Sequence, residues 1–246
     1  AGIKASQPYE QVVDDLTKMP GAKWFTGAKL NFAENLLRFR DDHVALIFKG
    51  ESRDTVQMTY AELYDEVSKL AQYLKELGLG PDDRVAGFMP NMPQTIVAML
   101  AATSLGAAWS SCSPDFGIKG VLDRFGQIKP KVLFTADGYL FKGKELDSLA
   151  RVADILKDLP SIEKVVVVPY VKENPGISHI PNAVAYNDIR SSYEPKQIQF
   201  EQLPADHPLY IMFTSGTTGL PKCMVQSSGG ILIHHMKELL LHSNLK

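Results

Sequence analysis

Short, fully apolar runs constrain the fold of this chain more than any other feature of its sequence. Val165–Val168 and Leu209–Phe213 are apolar at consecutive positions, without the alternation of polar and apolar residues that a half-exposed strand shows. Such strands are typical of parallel sheets, which are buried on both faces. A sheet of this kind must be covered by helices on two sides.

Helical segments alternate with these runs along most of the chain. Thr59 and Glu62 have the spacing of a capping box at the start of one helix, and Gly78 marks its end. The apolar stripe of this helix comprises Leu63, Val67, Leu70, Ala71, Leu74 and Leu77. The expected further helices are 92–105, 117–128, 145–158 and 228–243, and the expected further strands are 44–48, 56–59, 84–89, 107–111 and 131–135. This alternation predicts an α/β fold with a mostly parallel sheet and helices on both faces.

Two parts of the chain lack this alternation of strands and helices. Residues 1–40 contain glycine, proline and aromatic residues in irregular order, and we expect them to pack as an N-terminal extension on a domain formed by residues 41–246. Residues 170–207 are expected to form a long connection with one helical turn near Asn187–Arg190.

Composition narrows the function classes. The 246 residues include 26 basic and 28 acidic side chains, a net charge of −2, so we expect no binding to nucleic acid. No apolar run approaches the roughly 20 residues of a membrane span, and no membrane insertion is expected. Cys112 and Cys223 have neither disulfide-framework nor metal-site spacing. We expect a cytosolic protein; the sequence indicates no oligomeric state.

The histidines near the end of the chain do not indicate a metal site. His234, His235, Glu238 and His242 do not form a His-Glu-x-x-His motif. We expect them to be side chains on a helix surface, and we predict no metal-binding residues in this chain.

A run rich in hydroxyls and glycine directly follows the apolar strand 209–213. Its residues are Thr214, Ser215, Gly216, Thr217, Thr218, Gly219, Leu220, Pro221 and Lys222. Glycines let backbone N–H groups turn toward an anion, hydroxyls donate hydrogen bonds, and a lysine supplies a point charge. Pro221 disfavours a regular helix at Lys222, and the Walker pattern is absent. The run predicts a polyphosphate-binding loop; the alternative is a polar surface turn.

The same run resembles the phosphate-loop signature of the adenylate-forming superfamily, which comprises acyl-CoA synthetases, luciferases and the adenylation domains of peptide synthetases. Residues 58–63 and 90–94 are similar to other segments of that superfamily. Residues 24–31 resemble an N-terminal segment shared by short-chain acyl-CoA synthetases, and residues 109–125 are similar to the acetoacetyl-CoA synthetase branch.

This resemblance implies a two-step ligase that uses ATP, Mg²⁺, acetoacetate and coenzyme A. The acid attacks the α-phosphate of ATP and releases pyrophosphate, and the thiol of CoA then displaces AMP. Charge develops on the leaving pyrophosphate. The resemblance therefore implies that the loop donors from Thr214 to Gly219 bind the phosphates and that Lys222 stabilises the pyrophosphate.

The resemblance also implies that a second, basic segment contacts CoA. By position, residues 141–144 resemble a basic loop that holds CoA phosphates in acetyl-CoA synthetases, and paired lysines can bind a 3′-phosphate. The alternative is a solvated basic loop. The residues assigned to CoA are Lys142, Gly143 and Lys144, with Asp115, Phe116 and Arg124 flanking the same ligand.

Members of the superfamily continue well beyond the phosphate loop. Their adenine-binding segment, metal-binding glutamate, ribose-binding aspartate and the catalytic lysine of a mobile C-terminal domain lie downstream. We therefore expect an N-terminal portion that is inactive alone and has an incomplete AMP-binding domain, no C-terminal domain and uncovered apolar faces. The alternatives are a ligase for another short-chain acid, such as acetate or propionate, and a non-catalytic nucleotide- or CoA-binding module.

Overall fold

Strands and helices alternate along the computed structural model, which describes residues 2–51, 53–214 and 219–245. The strands are β1 (Gln11–Val13), β2 (Trp24–Thr26), β3 (Lys29–Leu30), β4 (Val44–Lys49), β5 (Thr55–Thr59), β6 (Arg84–Phe88), β7 (Ala108–Cys112), β8 (Val132–Ala136), β9 (Gly138–Phe141), β10 (Lys144–Asp147), β11 (Lys164–Val168), β12 (Ala183–Ala185), β13 (Leu203–Pro204), β14 (Pro208–Phe213) and β15 (Cys223–Ser227). The helices are α1 (Phe32–Leu36), α2 (Tyr60–Glu76), α3 (Pro93–Ser104), α4 (Ile118–Ile128), α5 (Leu149–Lys157), α6 (Tyr186–Ser192) and α7 (Ser228–Met236), and a π-helical segment (Lys237–His242) continues α7.

The central sheet has seven strands in the order β12-β11-β8-β6-β7-β14-β15. Every neighbouring pair is parallel except β14 and β15, which pair antiparallel. Residues Val165–Val168 of β11 are at most 1% exposed, as their unbroken apolar run predicts. The predicted α/β fold with a mostly parallel sheet is confirmed.

Helices cover the sheet on both faces and form separate cores. On one face, apolar side chains of α1, α2, α3, α6 and α7 pack together with the sheet. On the other face, α4 and α5 contribute the buried side chains. The chain therefore leaves β7 toward one face, through α4, and leaves β14 toward the other face, through β15 and α7.

The amide side chain of Asn31 anchors the N-terminal segment to the sheet domain. Asn31 is 3% exposed, and its oxygen accepts a hydrogen bond from the backbone N–H of Glu34, which caps α1. Its amide nitrogen donates hydrogen bonds to the carbonyls of Thr103 and Ser104, both at 3.1 Å, and of Glu201, at 2.8 Å. One buried side chain thus joins α1, the end of α3 and the connection before β13.

Several predicted boundaries were right and one helix start was wrong. The capping box of Thr59 and Glu62 is present at the start of α2, and Gly78 after its end has a φ of +70°. The helix expected over 145–158 begins only at Leu149, because residues 138–147 form the hairpin of β9 and β10. Lys142 and Gly143 both have positive φ, which suits a two-residue hairpin turn.

Two strands of the sheet were not predicted. β12 lies in the interval 170–207, followed by α6, which includes the expected helical turn. β15 pairs with β14 at the edge of the sheet, where Met212, Met224 and Val225 are 50%, 42% and 59% exposed. This agrees with the expectation of uncovered apolar side chains. Across the described ranges, no helix is both long enough and apolar enough to span a bilayer.

We expect Asn31→Ala to lower the free energy of unfolding by about 3 kcal/mol, because buried carbonyls of α3 lose their donor. The matched control is Asn187→Ala on the exposed side of α6, which should change stability by at most about 0.5 kcal/mol. Urea denaturation followed by fluorescence measures both. Equal stability of the two variants would contradict the anchoring role.

Candidate phosphate-binding site

The site lies at the carboxyl-terminal edge of the sheet, between β7 and β14. These two strands pair at one registered position, Trp109 with Tyr210, whereas β6 and β7 pair from Arg84 through Phe88. A cavity of about 460 Å³ lies beside the carboxyl-terminal halves of β7 and β14. Ligands of open α/β sheets bind in crevices of this kind, where the chain leaves neighbouring strands toward opposite faces.

The walls of this cavity are mainly apolar and aromatic. They include side chains from both faces of the sheet: Asn91, Thr95, Ile96, Met99, Trp109, Phe116, Arg124, Tyr210 and Phe213. The hydroxyl of Tyr210 lies 3.4 Å from the sulfur of Met99, and burial raises the pKa of this phenol. Ser110 Oγ donates to the carbonyl of Ile211 at 2.7 Å and holds the strands together beside the cavity. Apolar walls with few polar groups are typical of small-molecule sites.

The predicted phosphate loop begins beside this cavity and is closed at its neck. The backbone N–H of Thr214 donates to the carbonyl of Lys222 at 3.1 Å, and the N–H of Lys222 points to Thr214 Oγ1 at 3.4 Å. Gly219 and Lys222 are exposed. Ser215, Gly216, Thr217 and Thr218 lie outside the described residues. Lys222 directly precedes β15, so it is not in a helix, as Pro221 predicts.

Helix α4 contacts the rear of this loop through Gln127. Its Nε2 donates to the carbonyl of Pro221 at 2.9 Å, and Cys223 Sγ lies 3.5 Å from its Oε1. No pattern in the sequence indicates this contact of Gln127. The contact joins residues far apart in the chain, and only the packing of α4 against β14 brings them together.

Two of the residues assigned to CoA, Phe116 and Arg124, lie together on the cavity wall. The guanidinium carbon of Arg124 is 4.4 Å from the ring centre of Phe116 and 5.9 Å from that of Phe213. Asp115 is exposed and does not line the cavity. Burial raises the pKa of the neighbouring Cys112 thiol to about 11, although the charge of Arg124 lowers it. Cys112 is therefore a neutral thiol near pH 7.

The other assigned residues, Lys142, Gly143 and Lys144, lie at the exposed turn of the β9–β10 hairpin, away from the cavity walls. The backbone N–H groups of Lys142 and Gly143 donate to the carboxylate of Glu51, at 3.0 and 2.6 Å. The turn therefore already binds an anionic group through its backbone, between two lysines.

Arg151 of α5 links this hairpin to the segment that carries Asp115 and Phe116. Its Nη1 donates to the carbonyl of Pro114 at 3.0 Å and lies 3.4 Å from that of Phe116. Its guanidinium carbon is 5.7 Å from the ring centre of Tyr139 in β9. Arg151 was not among the predicted site residues, because the hairpin itself was not predicted.

The histidine-rich C-terminal helix carries local contacts. His242 Nδ1 lies 3.4 Å from a carboxylate oxygen of Glu238, and burial lowers the pKa of His235. Within residues 2–51, 53–214 and 219–245, no group of three or more histidine, cysteine, aspartate or glutamate side chains is arranged to hold a metal ion.

Comparisons with known proteins match this architecture. A family profile described as "AMP-binding enzyme" matches residues 32–242, and one described as "Acetyl-coenzyme A synthetase N-terminus" matches residues 1–36. An acetoacetyl-CoA synthetase of Macaca fascicularis is 47% identical over 100% of this chain and 38% of its own length. An acetoacetyl-coenzyme A synthetase of Rhizobium meliloti (strain 1021) is 47% identical over 96% of this chain and 36% of its own length.

A solved structure has the same fold. The acetoacetyl-CoA synthetase from Streptomyces lividans superposes with a TM-score of 0.92 at 44% identity, over 99% of this chain and 37% of that one. The chain thus spans about 38% of the length of the curated relatives it matches. Because the family profile covers most of its residues, the chain belongs to the AMP-binding enzyme family.

Proposed function

We propose that this chain supplies the ATP-phosphate-binding part of an AMP-forming acetoacetate–CoA ligase. The observation that carries this proposal is the hydrogen bond between Thr214 and Lys222, which joins the two ends of the run directly after Phe213, a residue of the cavity wall at the carboxyl-terminal edge of the sheet. The overall reaction converts ATP, acetoacetate and CoA into acetoacetyl-CoA, AMP and pyrophosphate.

In the first step the loop binds the β- and γ-phosphates of ATP. An acid carboxylate attacks the α-phosphate, the bond from the α-phosphate to the bridging oxygen breaks, and the electron pair leaves with pyrophosphate. Lys222 stabilises the negative charge that grows on this leaving group. Its side chain is exposed while its backbone is held by Thr214, an arrangement that suits a cation aimed at a ligand.

The names of the relatives support acetoacetate as the acid. Acetoacetate is a small acid, and the cavity beside the loop has apolar walls with a few polar groups, including Asn91 and Arg124. A ligase for another short-chain acid, such as acetate or propionate, is the second candidate, because the same loop serves any acid that attacks ATP.

Coenzyme A is proposed to bind along the path from the β9–β10 hairpin to the cavity. Lys142 and Lys144 stand at the exposed turn and suit the 3′-phosphate, and Arg124 with Phe116 lies at the cavity, where the thiol reacts. Asp115 lies in the segment between them. Arg151 supports the proposal, because it joins the hairpin to this segment.

Mg²⁺ belongs to the proposed reaction as the partner of ATP. The described residues contain no group of carboxylates arranged to hold this ion. A cytosolic location and the division into an N-terminal extension (1–40) and a sheet domain (41–246) are also proposed. The free thiols of Cys112 and Cys223 suit a reducing compartment.

We expect the whole protein to form acyl-CoA from acetoacetate with a kcat/KM at least about tenfold above those for acetate and propionate, since small changes in an acyl pocket have effects of this size. Release of AMP and pyrophosphate with ATP, CoA and each acid measures it. Preference for acetate or propionate would favour the second candidate. ATP or CoA binding without turnover of any acid would favour a binding module.

We expect Lys222→Ala in the whole protein to slow adenylation by on the order of 100-fold, because the cation that stabilises the leaving pyrophosphate is removed. Thioester formation from a supplied acyl-adenylate should change little. Acid-dependent exchange of pyrophosphate into ATP measures the first step. Lys157→Ala, an exposed lysine on α5 that pairs with Asp154, is the control. An unchanged exchange rate in the Lys222 variant would refute the assigned role.

We expect Lys142→Ala combined with Lys144→Ala to raise the KM for CoA about tenfold and leave the KM for ATP unchanged, because the 3′-phosphate loses two cations. Initial rates at varied CoA and varied ATP separate the effects. With dephospho-CoA, wild type and variant should differ little. A parallel rise in both KM values would contradict a CoA-specific contact.

A further inference from the structure

We propose that Gln127 is a positioning residue that sets the direction of the Lys222 side chain by holding the peptide bond before it. This inference rests on the proposed function of the phosphate loop. Gln127 lies on α4, outside the loop, and nothing in the loop sequence indicates it.

The peptide unit between Pro221 and Lys222 is held at both of its polar ends. Gln127 Nε2 donates to the carbonyl of Pro221 at 2.9 Å, and the N–H of Lys222 faces Thr214 Oγ1 at 3.4 Å. Because a peptide unit is planar, holding its oxygen and its N–H fixes the plane and, with it, the Cα of Lys222. The first of these bonds depends on Gln127.

The next peptide unit is held by the strand pairing itself. The carbonyl of Lys222 accepts a hydrogen bond from the N–H of Thr214, which continues the ladder between β14 and β15. The ladder alone leaves the Pro221 side of Lys222 without a main-chain partner among the described hydrogen bonds. Gln127 supplies a hydrogen bond on that side, so the peptide units before and after Lys222 are both held in position.

The orientation of the Gln127 amide is itself determined. Its Nε2 also donates to the carbonyl of Asp123, one turn earlier in α4, and its Oε1 faces Cys223 Sγ at 3.5 Å. Because Oε1 faces the Cys223 thiol and Nε2 faces the Asp123 carbonyl, the amide atom that faces the Pro221 carbonyl is the nitrogen. Gln127 thus contacts the residues on both sides of Lys222.

Helix α4 is a rigid support for this contact. Val121, Phe125 and Ile128 are buried in the core beneath it, at 0%, 0% and 7% exposure. The same helix carries Arg124, whose guanidinium lies on the cavity wall. One helix therefore sets the rear of the phosphate loop and one wall of the cavity, so that ATP phosphates and acid meet in a constant geometry.

Gln127→Ala and Gln127→Glu test the proposal in the whole protein. Glutamate keeps the size of the side chain but lacks the N–H donor, and its carboxylate repels the Pro221 carbonyl. We expect both variants to slow pyrophosphate exchange by about 5- to 10-fold, the effect of losing one hydrogen bond. Thioester formation from a supplied acyl-adenylate should stay within twofold of wild type, because pyrophosphate has already left.

A second measurement reports position without activity. The N–H of Lys222 should exchange with deuterium faster in both variants than in wild type, measured on peptides that cover residues 219–223. Lys119→Ala is the control, because Lys119 lies exposed on α4 and pairs only with Asp123 among the described side chains. It should change neither deuterium exchange nor either half-reaction.

Four outcomes separate the possibilities. Slower pyrophosphate exchange together with faster deuterium exchange supports the positioning role. Wild-type behaviour of Gln127→Glu in both measurements overturns it, and so does an equal slowing of both half-reactions with a lowered melting temperature. If wild type activates no acid but the deuterium effect is present, the proposed ligase function fails while the positioning of Lys222 stands.

Discussion

Burial of the parallel strands on both faces is the constraint from which the rest of this structure follows. Val165–Val168 are almost completely excluded from water, and each such strand must have helices above and below it. Helices that cross from strand to strand also bring every parallel strand into the sheet in the same direction. All of their carboxyl ends therefore meet at one edge, and the loops there face a common space.

The cavity forms because the chain leaves two neighbouring strands toward opposite faces of the sheet at that edge. After β7 the chain turns to α4 on one face, and after β14 it turns toward α7 on the other. The cavity opens between them, and the run proposed to bind phosphate begins directly after β14. Helix α4 then serves both regions, with Arg124 at the cavity and Gln127 behind Lys222. The packing of one helix thus determines both one wall of the cavity and the contact with the peptide bond before Lys222.

Features that depend on contacts between neighbouring residues were predicted correctly, whereas features that depend on hairpins and strand pairing were not. The capping box at Thr59 is a contact between neighbouring residues, and it was predicted correctly. The start of the helix at residue 145 was wrong, because Lys142 and Gly143 turn the chain into a hairpin first. Strand β15 was missed for a related reason: its apolar run, Cys223–Val225, is only three residues long, and pairing with β14 makes it a strand.

By itself, the sequence determined the alternation of strands and helices, the burial of the sheet on both faces and the run of hydroxyl, glycine and lysine residues from Thr214 to Lys222. These properties depend on local periodicity and on residue type, which can be read directly from the sequence. Only the tertiary structure decided that Gln127 holds the Pro221 carbonyl, that Glu51 binds the turn of Lys142 and that Arg151 joins two distant segments. Each of these contacts joins residues far apart in the chain, and their distances are set by how the helices and hairpins pack.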